Sequence, residues 1–98
     1  MKLLLCRSCQ DMVKLATSEV RHCHCKRCSG HYLEDGHNAE VWGREAEVIA
    51  IGNTSLIHAL KSEDLTKPAL GLGPDIRAWL FPHNYFRITR HGEAYSAK

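Results

Sequence analysis

Five cysteines carry most of the chemistry this chain can do. Cys6 and Cys9 form a C-x2-C pair, and thirteen residues later Cys23, Cys25 and Cys28 follow as C-x-C-x2-C. A C-x2-C pair on a tight turn points two sulfurs at one ion. A second pair from elsewhere completes a tetrahedron with metal–sulfur distances of ~2.3 Å. Taking Cys25 with Cys28 gives C-x2-C-x15-C-x2-C, a spacing within the range expected of zinc ribbons. Taking Cys23 with Cys25 gives a C-x-C knuckle instead. Cys25 belongs to either pair, so the spacing leaves open whether Cys23 or Cys28 joins Cys6, Cys9 and Cys25. Four thiolates fill the shell in both cases, whereas a catalytic zinc keeps one position for water or substrate. The expectation is therefore one structural Zn2+ and no catalytic residue. His22, His24 and His31 flank the run as lesser candidate ligands.

The rest of the chain suits a metal-stapled fold. It has 98 residues, enough for one small domain whose core needs such a staple. With 44% hydrophobic and 24% charged residues it is not compositionally disordered. No stretch approaches the ~18 consecutive apolar residues of a membrane span. Leu3, Leu4 and Leu5 are too few for a signal peptide's apolar region, and no lipidation pattern fits, so a cytoplasmic location is expected. Thiols stay reduced there, and clustered cysteines more often bind metal than pair with one another. An odd cysteine count also argues against a closed disulfide framework. The leftover thiol is a candidate reactive group, because Lys26, Arg27 and His24 would favour its thiolate.

Short strands must carry the knuckles. Residues 2–5 lead into Cys6, and residues 13–16 alternate weakly. The turn Thr17-Ser18-Glu19 would return the chain through Val20-Arg21-His22, making a hairpin of 13–16 with 20–22. Tyr32-Leu33 and Ala39–Trp42 read as strands around a turn at Asp35-Gly36, and Glu47–Ile51 reads as a β-branched strand. Asn53-Thr54 can start a helix near 54–62 with Leu56, Ile57 and Leu60 as its apolar stripe. Pro68, Gly71, Gly73 and Pro74 make 62–75 a loop. Ile76–Phe81 and Tyr85–Thr89 read as closing strands. The expected fold class is α+β, mostly β: a single domain over 1–98 with a zinc ribbon at 1–30, a β-rich body at 31–98 and one short helix.

At the quoted cysteines the chain resembles a group of small bacterial and phage-encoded zinc-ribbon proteins of uncharacterised function. The resemblance rests on Leu4-Leu5-Cys6-Arg7-Ser8-Cys9-Gln10-Asp11, Cys23-His24-Cys25, Ser29-Gly30-His31-Tyr32 and Asn38-Ala39-Glu40-Val41-Trp42-Gly43, and covers roughly residues 3–60. That group uses a C-x2-C pair and then a C-x-C pair followed by glycine. The resemblance thus implies Cys6, Cys9, Cys23 and Cys25 as ligands. Here Lys26 replaces the glycine and Cys28 is extra, which keeps the Cys25/Cys28 pairing open. No reaction or substrate is implied.

Charge is laid out unevenly behind a net of +2. Residues 1–28 carry +4, residues 29–76 carry −5 and residues 77–98 carry +3. The basic ends either balance a zinc–thiolate site of about −2 or attract nucleic acid. The best basic–aromatic interleave is Arg77 with Tyr85, Arg87 and Arg90. On a strand, Tyr85 and Arg87 would face outward while Phe86 and Ile88 entered the core. Trp42 and Trp79 lie on alternating apolar patterns that suit core packing better than base stacking. No acid–base pair, phosphate-binding glycine loop or nucleophile motif is visible. The chain is therefore expected to be a non-enzymatic accessory or regulatory protein that binds a macromolecule. A protein partner is slightly favoured and nucleic acid is the alternative. A redox-responsive or enzymatic protein using the spare cysteine is the rival from another class. No membrane partner and no small-molecule substrate is expected.

Overall fold

A computed structural model describes residues 1–62 and 76–96. Most of the loop read over 62–75 lies outside the described residues. The chain runs β1 (Lys2–Cys6), β2 (Met12–Lys14), β3 (Arg21–His22), β4 (Ser29–Tyr32), β5 (Ala39–Trp42), β6 (Ala46–Ile51), α1 (Asn53–Ser62), β7 (Ala78–Leu80) and β8 (Ile88–His91). Among the described residues the fold is α+β and mostly β, with one short helix. The described strands form two four-stranded sheets, in the orders β2-β1-β6-β7 and β3-β4-β5-β8.

The hairpin expected between 13–16 and 20–22 does not form. Instead β2 pairs back onto β1, with Leu4 opposite Val13, and β3 pairs forward onto β4, with His22 opposite Ser29. Each cysteine knuckle is thus the tip of its own hairpin, one in each sheet. The reason is local: each knuckle closes with a hydrogen bond from its first cysteine to the residue five positions on. Cys6 N–H donates to the Asp11 carbonyl and Cys23 N–H to the Cys28 carbonyl, both at 3.0 Å.

Side-chain alternation then builds one core between the sheets. Leu4, Ala46 and Val48 from the first sheet meet Ala39, Val41 and Ile88 from the second, with Leu15 beside them. Cys6, Cys23 and Cys28 belong to this same buried cluster. β1 is central to the first sheet, pairing with β6 over five residues from Lys2–Ala50 to Cys6–Ala46. β8 joins β5 in parallel, with Glu40 opposite Thr89 and Trp42 opposite His91.

Three expectations change at the C-terminal side. α1 begins at Asn53 as the sequence suggests, and its first turn is anchored at Gly52, whose carbonyl accepts from Leu56 N–H and Ser55 Oγ. The helix buries Ala59, however, and leaves Ile57 and Leu60 half exposed. Trp79 on β7 is also half exposed. The strand read over Tyr85–Thr89 starts only at Ile88, because two successive turns precede it. Tyr85 N–H donates to the Pro82 carbonyl and Ile88 N–H to the Tyr85 carbonyl. The register therefore inverts at its start: Phe86 is 79% exposed and Tyr85 is packed against the core, while Ile88 is buried as expected.

Candidate metal centre

The two hairpin tips bring four sulfurs together. The Sγ atoms of Cys6, Cys9, Cys23 and Cys25 all lie within 4.8 Å of one another. Cys6 and Cys25 are 3.7 Å apart and Cys23 and Cys25 are 3.5 Å apart. A tetrahedron with ~2.3 Å arms has edges of ~3.8 Å, so the spacing fits one ion held by four thiolates. Cys28 is not one of the four. It occupies the knuckle-closing position that Asp11 occupies in the first knuckle, and its side chain is fully buried.

Main-chain donors aim at these sulfurs, as a tetrathiolate requires. Cys28 N–H donates to Cys23 Sγ at 3.4 Å. The N–H groups of Cys25 and Asp11 donate to Cys9 and hold its thiol down to about 6. Burial opposes ionisation of Cys6, but N–H donation from Cys9 and Ser8 and the thiols of Cys28 and Cys23 outweigh it and lower its pKa. At Cys25 the Arg27 N–H favours the thiolate, yet desolvation and the neighbouring sulfurs of Cys23, Cys9 and Cys6 push the thiol up to about 12. Crowded sulfurs thus resist complete ionisation among themselves, and a central divalent cation removes that resistance because a coordinating thiol is deprotonated outright. The donor set fits a metal ion.

Contacts between the tips fix their mutual position. His24 N–H donates to Asp11 Oδ2 at 2.9 Å, and Arg27 Nη1 donates to Ser8 Oγ at 3.2 Å. The spare thiol, Cys28, does not gain the thiolate character expected from nearby cations. Burial first, and then contact with Cys6, push it up. Among the flanking histidines, His22 Nδ1 is 2.6 Å from Ser29 Oγ and His31 lies beside Glu40, so both have partners other than the cysteines.

Sequence reasoning missed a second cluster on the outer face of the β3-β4-β5-β8 sheet. Trp42 is sandwiched between His31 and His91, with ring centroids 5.7 and 5.1 Å away and planes within 18°. Glu40 accepts from both imidazoles, at 3.0 Å from His31 Nε2 and 2.7 Å from His91 Nε2. Tyr95 closes the edge of the indole at 4.6 Å. Alternation of Glu40 and Trp42 along β5 puts them on one face, and that was the available signal. The partners come from pairing β5 with β4 and with β8, which the sequence does not display. With both its faces covered, Trp42 offers no platform for a base.

The four residues read as candidate nucleic-acid contacts do not share one outward face. Arg90 turns inward and donates from Nη1 to the Ala46 carbonyl at 2.8 Å, with Glu47 3.8 Å away. Tyr85 stacks on Phe81 at 4.8 Å rather than facing outward. Arg77 and Arg87 are exposed. Among the described residues, no helix is long and apolar enough to cross a membrane. No family model, curated protein or solved structure matches the chain.

Proposed function

We propose that this chain is a non-enzymatic zinc-ribbon module, an accessory or regulatory protein that binds a macromolecular partner. One observation carries the reading: four sulfurs from the hairpin tips of two different sheets converge within 4.8 Å. An ion held there by Cys6, Cys9, Cys23 and Cys25 links the sheets at one end of a small core. Its shell is closed by protein ligands, which favours a structural role over catalysis. An all-sulfur tetrahedral set suits zinc or iron, and the reduced-thiol reading of the sequence, with the resemblance to ribbons that follow a C-x2-C pair with a C-x-C pair, favours zinc. The buried Cys28 supports a packing role for the fifth cysteine over a redox one.

Protein purified without added metal is expected to carry one equivalent of zinc and to be colourless. Chelation is expected to unfold it, since site formation and folding are coupled. Iron content with visible absorption, or full folding after metal removal, overturns the zinc assignment. Affinity capture from native lysate, with and without nuclease, then reads the partner class. A captured protein that survives nuclease treatment fits a protein partner, whereas capture that nuclease abolishes fits nucleic acid. Turnover of a substrate by the zinc-loaded protein contradicts the non-enzymatic reading.

A further inference from the structure

Six side chains form a continuous cation–aromatic ladder away from the cysteines. Lys2 Nζ lies 5.3 Å from the Tyr32 ring and 5.8 Å from the Phe81 ring. Phe81 stacks on Tyr85 with 4.8 Å between centroids and 23° between planes. Tyr85 meets Phe86 at 5.2 Å, and the Arg87 guanidinium sits 5.0 Å from the Phe86 centroid. The inner rungs are anchored: Lys2 N–H donates to Tyr32 Oη at 2.8 Å, and Phe81 and Tyr85 pack against the core. The outer rung is not covered. Phe86 is the most exposed of the large hydrophobic side chains among the described residues, at 79%.

An exposed phenyl ring held by two turns and touched by a guanidinium is costly to leave in water. Its surroundings say what would cover it. The ladder contains two cations and no carboxylate. The nearby carboxylate of Glu47 is already engaged by His83 and lies 3.8 Å from both Arg7 and Arg90. Aromatic faces interleaved with cations suit a ligand that has flat rings strung on a chain of anions. A single-stranded nucleic acid has that chemistry: bases stack on aromatic side chains and phosphates meet Lys and Arg. A duplex does not, because its bases are already stacked on one another and cannot reach a surface ring.

We infer that Phe86 and Arg87, backed by Tyr85, Phe81 and Lys2, form a binding surface for single-stranded nucleic acid, with a base on Phe86 and phosphates at Arg87 and Lys2. This rests on the reading of the chain as a metal-stapled binding module and names the partner of one of its surfaces. It also relocates the contacts read from the sequence. Arg90 and Arg77 drop out, Tyr85 becomes support, and Phe86 becomes the stacking residue.

The test uses zinc-loaded full-length protein and fluorescence anisotropy with a short labelled oligothymidine, its oligouridine counterpart and a duplex of the same length. Binding to the single strands above the duplex is expected, with the two single-strand arms distinguishing DNA from RNA. Phe86→Ala is expected to weaken it ~10-fold, within the range for losing one base–aromatic stack. Arg87→Ala is expected to lower the salt slope by about 1. Both positions are exposed, so metal content and thermal unfolding of the variants should match the parent. No binding at low salt by a folded, zinc-loaded protein overturns this inference alone. Equal binding by Phe86→Ala also overturns it, as does loss on Phe86→Ala of a nuclease-resistant protein partner without oligonucleotide binding. A protein lacking metal would instead count against the underlying zinc-module reading.

Discussion

Gln10 and Lys26 occupy equivalent places in the two knuckles. Each directly follows the second cysteine of its pair, and each has a left-handed backbone, with φ of 62° and 63°. That conformation lets the chain turn back toward its first cysteine. Gln10 N–H donates to the Cys6 carbonyl at 2.8 Å and Lys26 N–H to the Cys23 carbonyl at 3.0 Å. A residue with a Cβ holds this backbone shape only at a steric cost, and Lys26 bears it. Lys26→Gly is therefore expected to stabilise the metal-loaded protein by about 1 kcal/mol, the cost of holding a residue with a Cβ in the left-handed region. Thermal unfolding of the two proteins at equal metal content measures it, and Gln10→Gly should act in the same direction.

Gly43 and Gly36 both have positive φ, 106° and 70°, but their surroundings differ. A Cβ on Gly43 would lie 2.3 Å from the Arg27 carbonyl oxygen and 3.1 Å from Cys28 Sγ, whereas one on Gly36 would meet nothing within 4 Å. Gly36→Ala should cost only the backbone strain, about 1 kcal/mol. Gly43→Ala adds a clash against main chain next to the second knuckle and should cost about 3 kcal/mol or more. Denaturant unfolding should rank them in that order, and equal losses would disprove the packing of the β5–β6 turn against Cys28.

Glu40 holds two imidazole donors, and its carboxyl is drawn below the usual carboxylate range first by the bond from His31 and then by that from His91. A depressed folded pKa contributes stability above the unfolded value of ~4.3, and that contribution is lost as pH falls through the lower folded value. Glu40→Gln offers one oxygen to two donors and removes the charge. The variant should be less stable by about 1–3 kcal/mol near neutral pH, the range for hydrogen bonds to a charged group. The gap between the two proteins should narrow as acid protonates Glu40 in the parent. A gap constant from pH 7 to pH 3 would contradict the assignment.

Much of this was legible before the fold. Cysteine spacing predicted a cluster of thiols able to hold one ion, though not the two hairpins that carry it, and Ala39–Trp42 was read as a strand at the bounds of β5. Asp35-Gly36 predicted the turn before β5, where Asp35 accepts from the N–H groups of His37 and Asn38. Strand partners were not legible. β2 and β3 have three and two residues, too few for any pattern to name a neighbour, and each pairs across its own knuckle. The parallel pairing of β5 with β8 joins segments far apart in sequence, so the His31–Trp42–His91 stack had no local signal. The inverted exposure of Tyr85 and Phe86 follows from turns after Pro82 that delay the strand to Ile88. A shift of start by one residue exchanges the faces.

The central claim is that Cys6, Cys9, Cys23 and Cys25 hold the ion while Cys28 packs beneath it. Metal stoichiometry of Cys25→Ser and Cys28→Ser separates the two pairings most directly. Cys25 is exposed, so its substitution opens no cavity, whereas Cys28 is buried and Cys28→Ala serves as an apolar control. Cobalt(II) substitution reports the number of sulfur ligands in each protein. The account predicts that Cys28→Ser and Cys28→Ala keep one equivalent of metal in a tetrathiolate spectrum, and that Cys25→Ser and Cys23→Ser lose tight binding. Loss of metal from both Cys28 variants, with retention by Cys23→Ser, would contradict it and return the second pair to Cys25 and Cys28.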